Sequence, residues 1–312
     1  VNIMSTRTTS LLLSLLSVGC EGTLVSSDDV GARADAANPP GLDAAVDPSL
    51  DAAIPPGVDV GPSLDAGPSS DTAVSVADAG RSAGCGVAHE AGFTCVTETW
   101  GGAERRYCVD VRAGYDPMRA QAIVLGLHGC GGSPEGAHGN TEPQVAAGAG
   151  ELLFVYPAAL GSCWEYSAAP TIDVDYVRHV IEAVSATHCV APGRVFADGM
   201  SSGGMMTSRL LCDGVARAGA AISLNYSCAT PRPVWLYGGT ADEYYADYIE
   251  PGRDGWLRTN GCSATTRPLP EGPCVEYEGC SARTIWCTDD RGHVWPREAW
   301  TAQIVELFRS TP

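Results

Sequence analysis

Short apolar runs separated by stretches of helical spacing constrain this 312-residue chain more than any other feature. The runs lie at 122–127, 152–156, 194–198, 218–224, 234–237 and 284–287. A strand with one wet face alternates apolar and polar residues, so runs this short and this apolar suit strands buried on both faces of a mainly parallel sheet. Residues 107–111 do alternate, as an early antiparallel strand would. Between the runs, Val177, Ile181 and Val184 mark one face of a helix over 174–187, and Met205, Met206, Leu210 and Leu211 mark a second over 202–212. Trp300, Ile304, Leu307 and Phe308 mark another near the end of the chain. Strand alternating with helix over some 200 residues predicts an α/β fold, with a mainly parallel central sheet and helices on both faces.

The preceding part has a different texture. Residues 21–84 are built from small residues, Asp and Pro, with no aromatic side chain. The Pro-Pro-Gly at 39–41 returns at 55–57, and the Pro-Ser-Leu-Asp-Ala at 48–52 returns at 62–66. Such a stretch cannot bury enough apolar surface to offset its ordering entropy, and it reads as a disordered spacer. Residues 21–80 carry ten Asp and one Glu against Arg33, so this stretch supplies −10 of the formal net charge of −18. The chain has no Lys. This balance argues against a nucleic-acid partner, because phosphates are held by clustered cations.

Residues 1–20 read as an export signal. Arg7 provides a positive start, 11–18 an apolar core too short to span a bilayer, and Gly19 a small residue before Cys20. Ser17-Val18-Gly19-Cys20 resembles a bacterial lipobox, which implies lipidation of Cys20 and attachment to an outer membrane or cell surface. Plain secretion is the alternative. Twelve further Cys lie between Cys85 and Cys287 with no CxxC pair among them. That usage predicts disulfides in an oxidising compartment, six if all are paired, rather than a metal cluster. The expected organisation is therefore 1–20 signal, 21–84 spacer and 85–312 folded domain.

Gly199-Met200-Ser201-Ser202-Gly203 matches G-x-S-x-G, a sharp strand-to-helix turn that exposes a serine hydroxyl. It stands between the strand pattern at 194–198 and the helix pattern at 202–212, as that turn requires. A serine needs a base to take its proton. Of six His, at 89, 128, 138, 179, 188 and 293, only His293 follows Ser201, which fits the order Ser, acid, His. Asp242, after the strand at 234–237, is the favoured acid, with Glu243 and Asp247 as alternatives. The Gly-rich loop at 128–132 follows another strand and suits an oxyanion hole made by the N–H groups of Cys130 and Ser202. His128 reads as a loop-fixing residue beside the substrate site.

The series His128-Gly129-Cys130-Gly131-Gly132, Cys163-Trp164, Gly199-Met200-Ser201-Ser202-Gly203-Gly204, Gly239-Thr240-Ala241-Asp242 and Gly292-His293-Val294-Trp295-Pro296 resembles the feruloyl esterase and polyhydroxybutyrate depolymerase family of secreted α/β-hydrolases. The resemblance runs from about Tyr107 to the end of the chain. It implies a Ser201, Asp242 and His293 triad, and Trp164 as either a substrate-site wall or a buried anchor. It implies no metal or organic cofactor. Two departures stand out: Gly238 occupies a position where His is common, and Arg291 one where Gly is common. The expected function is hydrolysis of carboxylic esters, with phenolic esters on xylan-type polysaccharide first and aliphatic polyesters second. A surface binding protein that kept a hydrolase fold is the alternative of another class. The oligomeric state is open.

Overall fold

The computed structural model describes residues 80–167, 171–270 and 272–312. The expectations for the export signal, for Cys20 and for nearly all of the spacer fall on residues 1–79, outside the described residues.

Among the described residues, ten strands form one sheet. Strands β1 (Gly92–Trp100), β2 (Ala103–Val111), β3 (Gln121–Leu127), β4 (Leu152–Pro157), β5 (Val190–Met200), β6 (Ala218–Ile222), β7 (Val234–Gly239), β8 (Thr266–Pro268), β9 (Cys274–Tyr277) and β10 (Thr284–Asp289) lie in the order β1-β2-β4-β3-β5-β6-β7-β10-β9-β8. Strands β4, β3, β5, β6, β7 and β10 run parallel, while the hairpins β1–β2 and β8–β9 add antiparallel margins. Every residue of β3, β4, β6 and β7 is buried, which is why those segments read as unbroken apolar runs.

Helices cover both faces. One layer of the core packs α2 (Ile172–Thr187), α3 (Ser202–Cys212) and α4 (Glu250–Thr259) on the sheet through Val177, Val180, Met206, Leu210 and Trp256. The other packs α1 (Pro134–Ala147) and α5 (Glu298–Ser310) through Val145, Trp300, Ile304 and Phe308. This is the α/β-hydrolase architecture. All the strand runs and the three helical faces read from the sequence are present, and α3 spans 202–212 as expected.

Some elements were not legible. Strand β1 is mostly exposed and carries no apolar run; it exists because Gly101 and Gly102 both take positive φ and close a two-residue hairpin onto β2. Helix α1 has Pro143 inside it and little apolar periodicity, so its capping by Ser133 and its contacts define it.

All twelve cysteines from Cys85 to Cys287 are paired: Cys85–Cys189, Cys95–Cys108, Cys130–Cys163, Cys212–Cys228, Cys262–Cys280 and Cys274–Cys287. Cys95–Cys108 joins directly opposed residues of the β1–β2 hairpin, and Cys274–Cys287 joins directly opposed residues of the antiparallel pair β9 and β10. Ordered packing starts ahead of Cys85. Ser82 is buried and its Oγ donates to the His188 carbonyl at 2.6 Å, while Gly84 N–H donates to Ser185. No described helix is long and apolar enough to cross a membrane.

Candidate active site

Three parallel strands, β5, β7 and β10, end on the same side of the sheet, and each delivers one of the expected residues. Ser201 follows β5 directly and takes φ 59° and ψ −124°, a positive-φ conformation rare for a side-chain-bearing residue. The turn needs glycine on either side. A Cβ on Gly199 would collide with the Gly203 carbonyl, and one on Gly203 would collide with the Leu127 carbonyl. That close approach brings the Gly-rich loop after β3 against the turn, with Ser201 Cβ 3.5 Å from the position a Cβ on Gly129 would take.

Asp242 and His293 are joined by their loops as well as by their side chains. Thr240 N–H donates to the Asp289 carbonyl at 2.8 Å and Ala241 N–H to the Arg291 carbonyl at 3.0 Å, so the loops after β7 and β10 run side by side. His293 Nδ1 then lies 2.8 Å from Asp242 Oδ2. The Asp242 side chain is fully buried, and its other oxygen accepts from Tyr244 N–H at 3.0 Å. With Nδ1–H directed at the carboxylate, Nε2 of His293 is the basic nitrogen. Ser201 and His293 line one cavity of about 390 Å³. No hydrogen bond joins them in this structure; such contacts often tighten only around a substrate. Of the alternative acids, Glu243 lines the cavity and Asp247 is exposed.

Cys130 and Ser202 also line this cavity, and their N–H groups bond to no other group among the described residues. Ser202 is the first residue of α3, where an N–H has no intrahelical acceptor and the helix dipole favours negative charge. Two links hold the pair in place: the Cys130–Cys163 disulfide, and the Trp164 N–H donating to Ser202 Oγ at 2.9 Å.

Trp164 and His128 are not among the cavity-lining residues. Trp164 is 3% exposed, and its indole N–H donates to the His128 carbonyl at 2.8 Å, which is the buried-anchor arrangement. His128 is buried, its Nδ1 is 2.7 Å from the Gly129 carbonyl and its Nε2 accepts from Ala159 N–H. Burial lowers its pKa, so the ring stays neutral and braces the loop. The two departures from the family pattern have physical reasons. Ile249 and Trp286 fill the space beside Gly238, leaving no room for a side chain. Arg291 packs its guanidinium near the Tyr237 and Trp300 rings and bonds Asp289 and the Trp295 carbonyl, bracing the loop that carries His293.

Tyr166, Met205, Leu224, Tyr244 and Tyr248 complete the cavity, and the sequence reading missed them. Tyr244 precedes and Tyr248 belongs to a π-helical turn at Tyr245–Ile249, and the Tyr244 ring lies edge-on to His293 at 5.3 Å. Three tyrosines within five residues of Asp242–Glu243 were the available signal.

Among the described residues, two side-chain groups converge as metal ligands would. Cys95 and Cys108, with Glu135, form one, but both thiols are spent in a disulfide. Asp110, His138 and Glu142 form the other, and there the Arg112 guanidinium, 3.0 Å from Asp110 and paired with Glu142, already supplies the cation.

Known proteins resemble this chain in fold and in sequence. The chain is similar to a probable feruloyl esterase C of Aspergillus terreus, 27% identical over 209 residues, covering 61% of this chain and 76% of that protein. It is also similar to feruloyl esterase D of Neurospora crassa, 27% identical over 249 residues, covering 70% and 84%. Among solved structures, an acetyl xylan esterase from Aspergillus awamori superposes with a TM-score of 0.56 at 17% identity, covering 70% of this chain and 99% of that one. The chain has the α/β-hydrolase fold and is similar in sequence to esterases. No protein-family model matches it.

Proposed function

We propose that this protein is an exported serine esterase acting through an acyl-enzyme. The observation that carries the reading is the buried Asp242 carboxylate 2.8 Å from His293 Nδ1, in a site where His293 and the positive-φ Ser201 share a cavity. His293 Nε2 takes the Ser201 proton as Oγ forms a bond to the ester carbonyl carbon. The resulting oxyanion accepts from the N–H groups of Cys130 and Ser202, each such donor contributing on the order of 3 kcal/mol to the transition state. Collapse breaks the bond to the alcohol, which leaves with the proton held by His293. Water attacks the acyl-enzyme with His293 again as base, releasing the acid and restoring Ser201.

Phenolic esters on plant cell-wall polysaccharide, feruloyl esters above all, are the favoured substrates. The similarity to feruloyl esterases supports this choice, and so does the aromatic lining from Tyr166, Tyr244 and Tyr248. The proposal extends to a lipid anchor at Cys20 and an acidic spacer to about residue 80, which together hold the domain away from a membrane surface. Methyl ferulate, a short p-nitrophenyl ester and polyhydroxybutyrate, assayed with Ser201→Ala in parallel, test the reading. Hydrolysis of methyl ferulate that disappears in the variant is expected. Hydrolysis that survives in Ser201→Ala defeats the serine mechanism, and cleavage of polyhydroxybutyrate alone moves the substrate to polyesters.

A further inference from the structure

The cavity at Ser201 is electrostatically one-sided. Its lining comprises three tyrosines, apolar and small side chains, His293 and a single exposed carboxylate, Glu243; no arginine contributes, and the chain has no lysine. Glu243 forms no ion pair among the described residues, unlike the surface carboxylates Glu135, Glu142 and Glu276. It directly follows Asp242, whose buried position faces His293, so its backbone is fixed by the site itself. The exposed rings of Tyr244 and Tyr248 stand beside it in an edge-to-face pair with centroids 6.1 Å apart. A carboxylate beside open aromatic faces favours cations twice over, by direct attraction and by cation–π contact, and repels anions.

We infer that Glu243, with Tyr244 and Tyr248 beside it, sets the charge selectivity of the esterase, admitting esters with neutral or cationic groups and rejecting those that carry a carboxylate. This rests on the esterase reading above. A neutral sugar ester passes such a filter, whereas an ester of an acidic sugar or of a dicarboxylic acid does not. A unit charge some 6–8 Å from a substrate charge, in surroundings between protein surface and water, changes kcat/KM by about three- to tenfold.

The test uses the full chain and isosteric ester pairs. Butyrylcholine is compared with 3,3-dimethylbutyl butyrate, and methyl hydrogen succinate with methyl levulinate, each as a ratio of kcat/KM. The expected result is a cationic-to-neutral ratio that falls about three- to tenfold in Glu243→Gln, and an anionic-to-neutral ratio that rises by a similar factor. Raising NaCl on the unaltered protein moves both ratios the same way, since exposed charges are screened over about 10 Å at 0.1 M salt. Ratios that Glu243→Gln leaves unchanged, or that do not respond to salt, overturn the inference while leaving the esterase intact. Methyl ferulate serves as the control: failure to hydrolyse it along with all four esters overturns the esterase reading, and this inference with it, whereas its hydrolysis with neither the cationic nor the neutral esters cleaved overturns this inference alone.

Discussion

The backbone N–H of Trp164 donates to Ser202 Oγ across 38 positions of sequence, at 2.9 Å and out of contact with water. It fastens the loop after β4 to the first turn of α3. Because Cys163 in that loop is bonded to Cys130, the same link connects the two N–H groups proposed to hold the oxyanion. Ser202→Ala leaves the Trp164 N–H buried without an acceptor, at a cost of about 1–3 kcal/mol. Thermal unfolding is expected to shift downward, with kcat reduced at least tenfold and KM much less affected. An unchanged kcat in a destabilised variant separates the link from the oxyanion hole.

Ser201 holds its positive φ at the expense of stability, by about 1–3 kcal/mol for a residue with a Cβ. Ser201→Gly is therefore expected to unfold at a higher temperature or denaturant concentration than the unaltered protein while losing ester hydrolysis. Asp242→Asn is expected to keep the fold and lose on the order of 10⁴ in kcat, because the amide no longer holds Nδ1–H of His293. Matched unfolding curves and steady-state rates check both.

Arg105 and Asp173 form an ion pair at 2.7 Å with both side chains 1% exposed. Asp173 also accepts from Leu160 N–H at 3.0 Å and from Glu165 N–H at 2.9 Å, so it anchors both ends of the segment that carries Cys163 and Trp164. Asp173→Asn strips the buried Arg105 of its counter-charge and is expected to lower stability by about 3–5 kcal/mol. Denaturant unfolding measures this, and ester hydrolysis is expected to fall below the fraction folded because the loop loosens.

Asp198, in β5, is fully buried beside Gln144, and burial raises its pKa to about 8. Its carboxyl is thus protonated in the folded chain and ionised in the unfolded chain between pH 3.8 and about pH 8. The folded state binds the extra proton, so stability falls as pH rises through that range and levels off above it. Below pH 6.5, His188 opposes this trend, since burial and then His89 lower its pKa to about 4 and unfolding takes up a proton there. From pH 6.5 to 8 the Asp198 effect stands clear, at roughly 1 kcal/mol per pH unit. Urea unfolding across that window is expected to slope downward for the unaltered protein and to be flatter for Asp198→Asn; equal slopes contradict the assignment.

How much was legible before the fold was known follows from which interactions are local. The parallel strands were readable because residues such as Val124, Val155 and Leu236 must be apolar on both faces wherever the chain places them. Ser201 and His293, which line one cavity, stand out in the sequence because a tight turn demands Gly199 and Gly203, and because chain order leaves one histidine. Strand β1 was not readable, since its residues gain their place from pairing with β2 rather than from burial. Tyr244 and Tyr248 belong to no motif and Glu243 reads only as an alternative acid; their place in the lining of the cavity is a product of the tertiary structure.

By itself, the sequence determined the layered α/β plan and the pairing of its cysteines in number, and it singled out the serine and histidine proposed to react, because each follows from periodicity, parity, chain order or local backbone strain. Tertiary structure alone decided the rest: which cysteines meet, that Asp242 rather than Glu243 faces His293, and that Trp164 and His128 brace the cavity instead of lining it. Those outcomes depend on loops from strands far apart in sequence running side by side, and no local pattern encodes a distance of that kind.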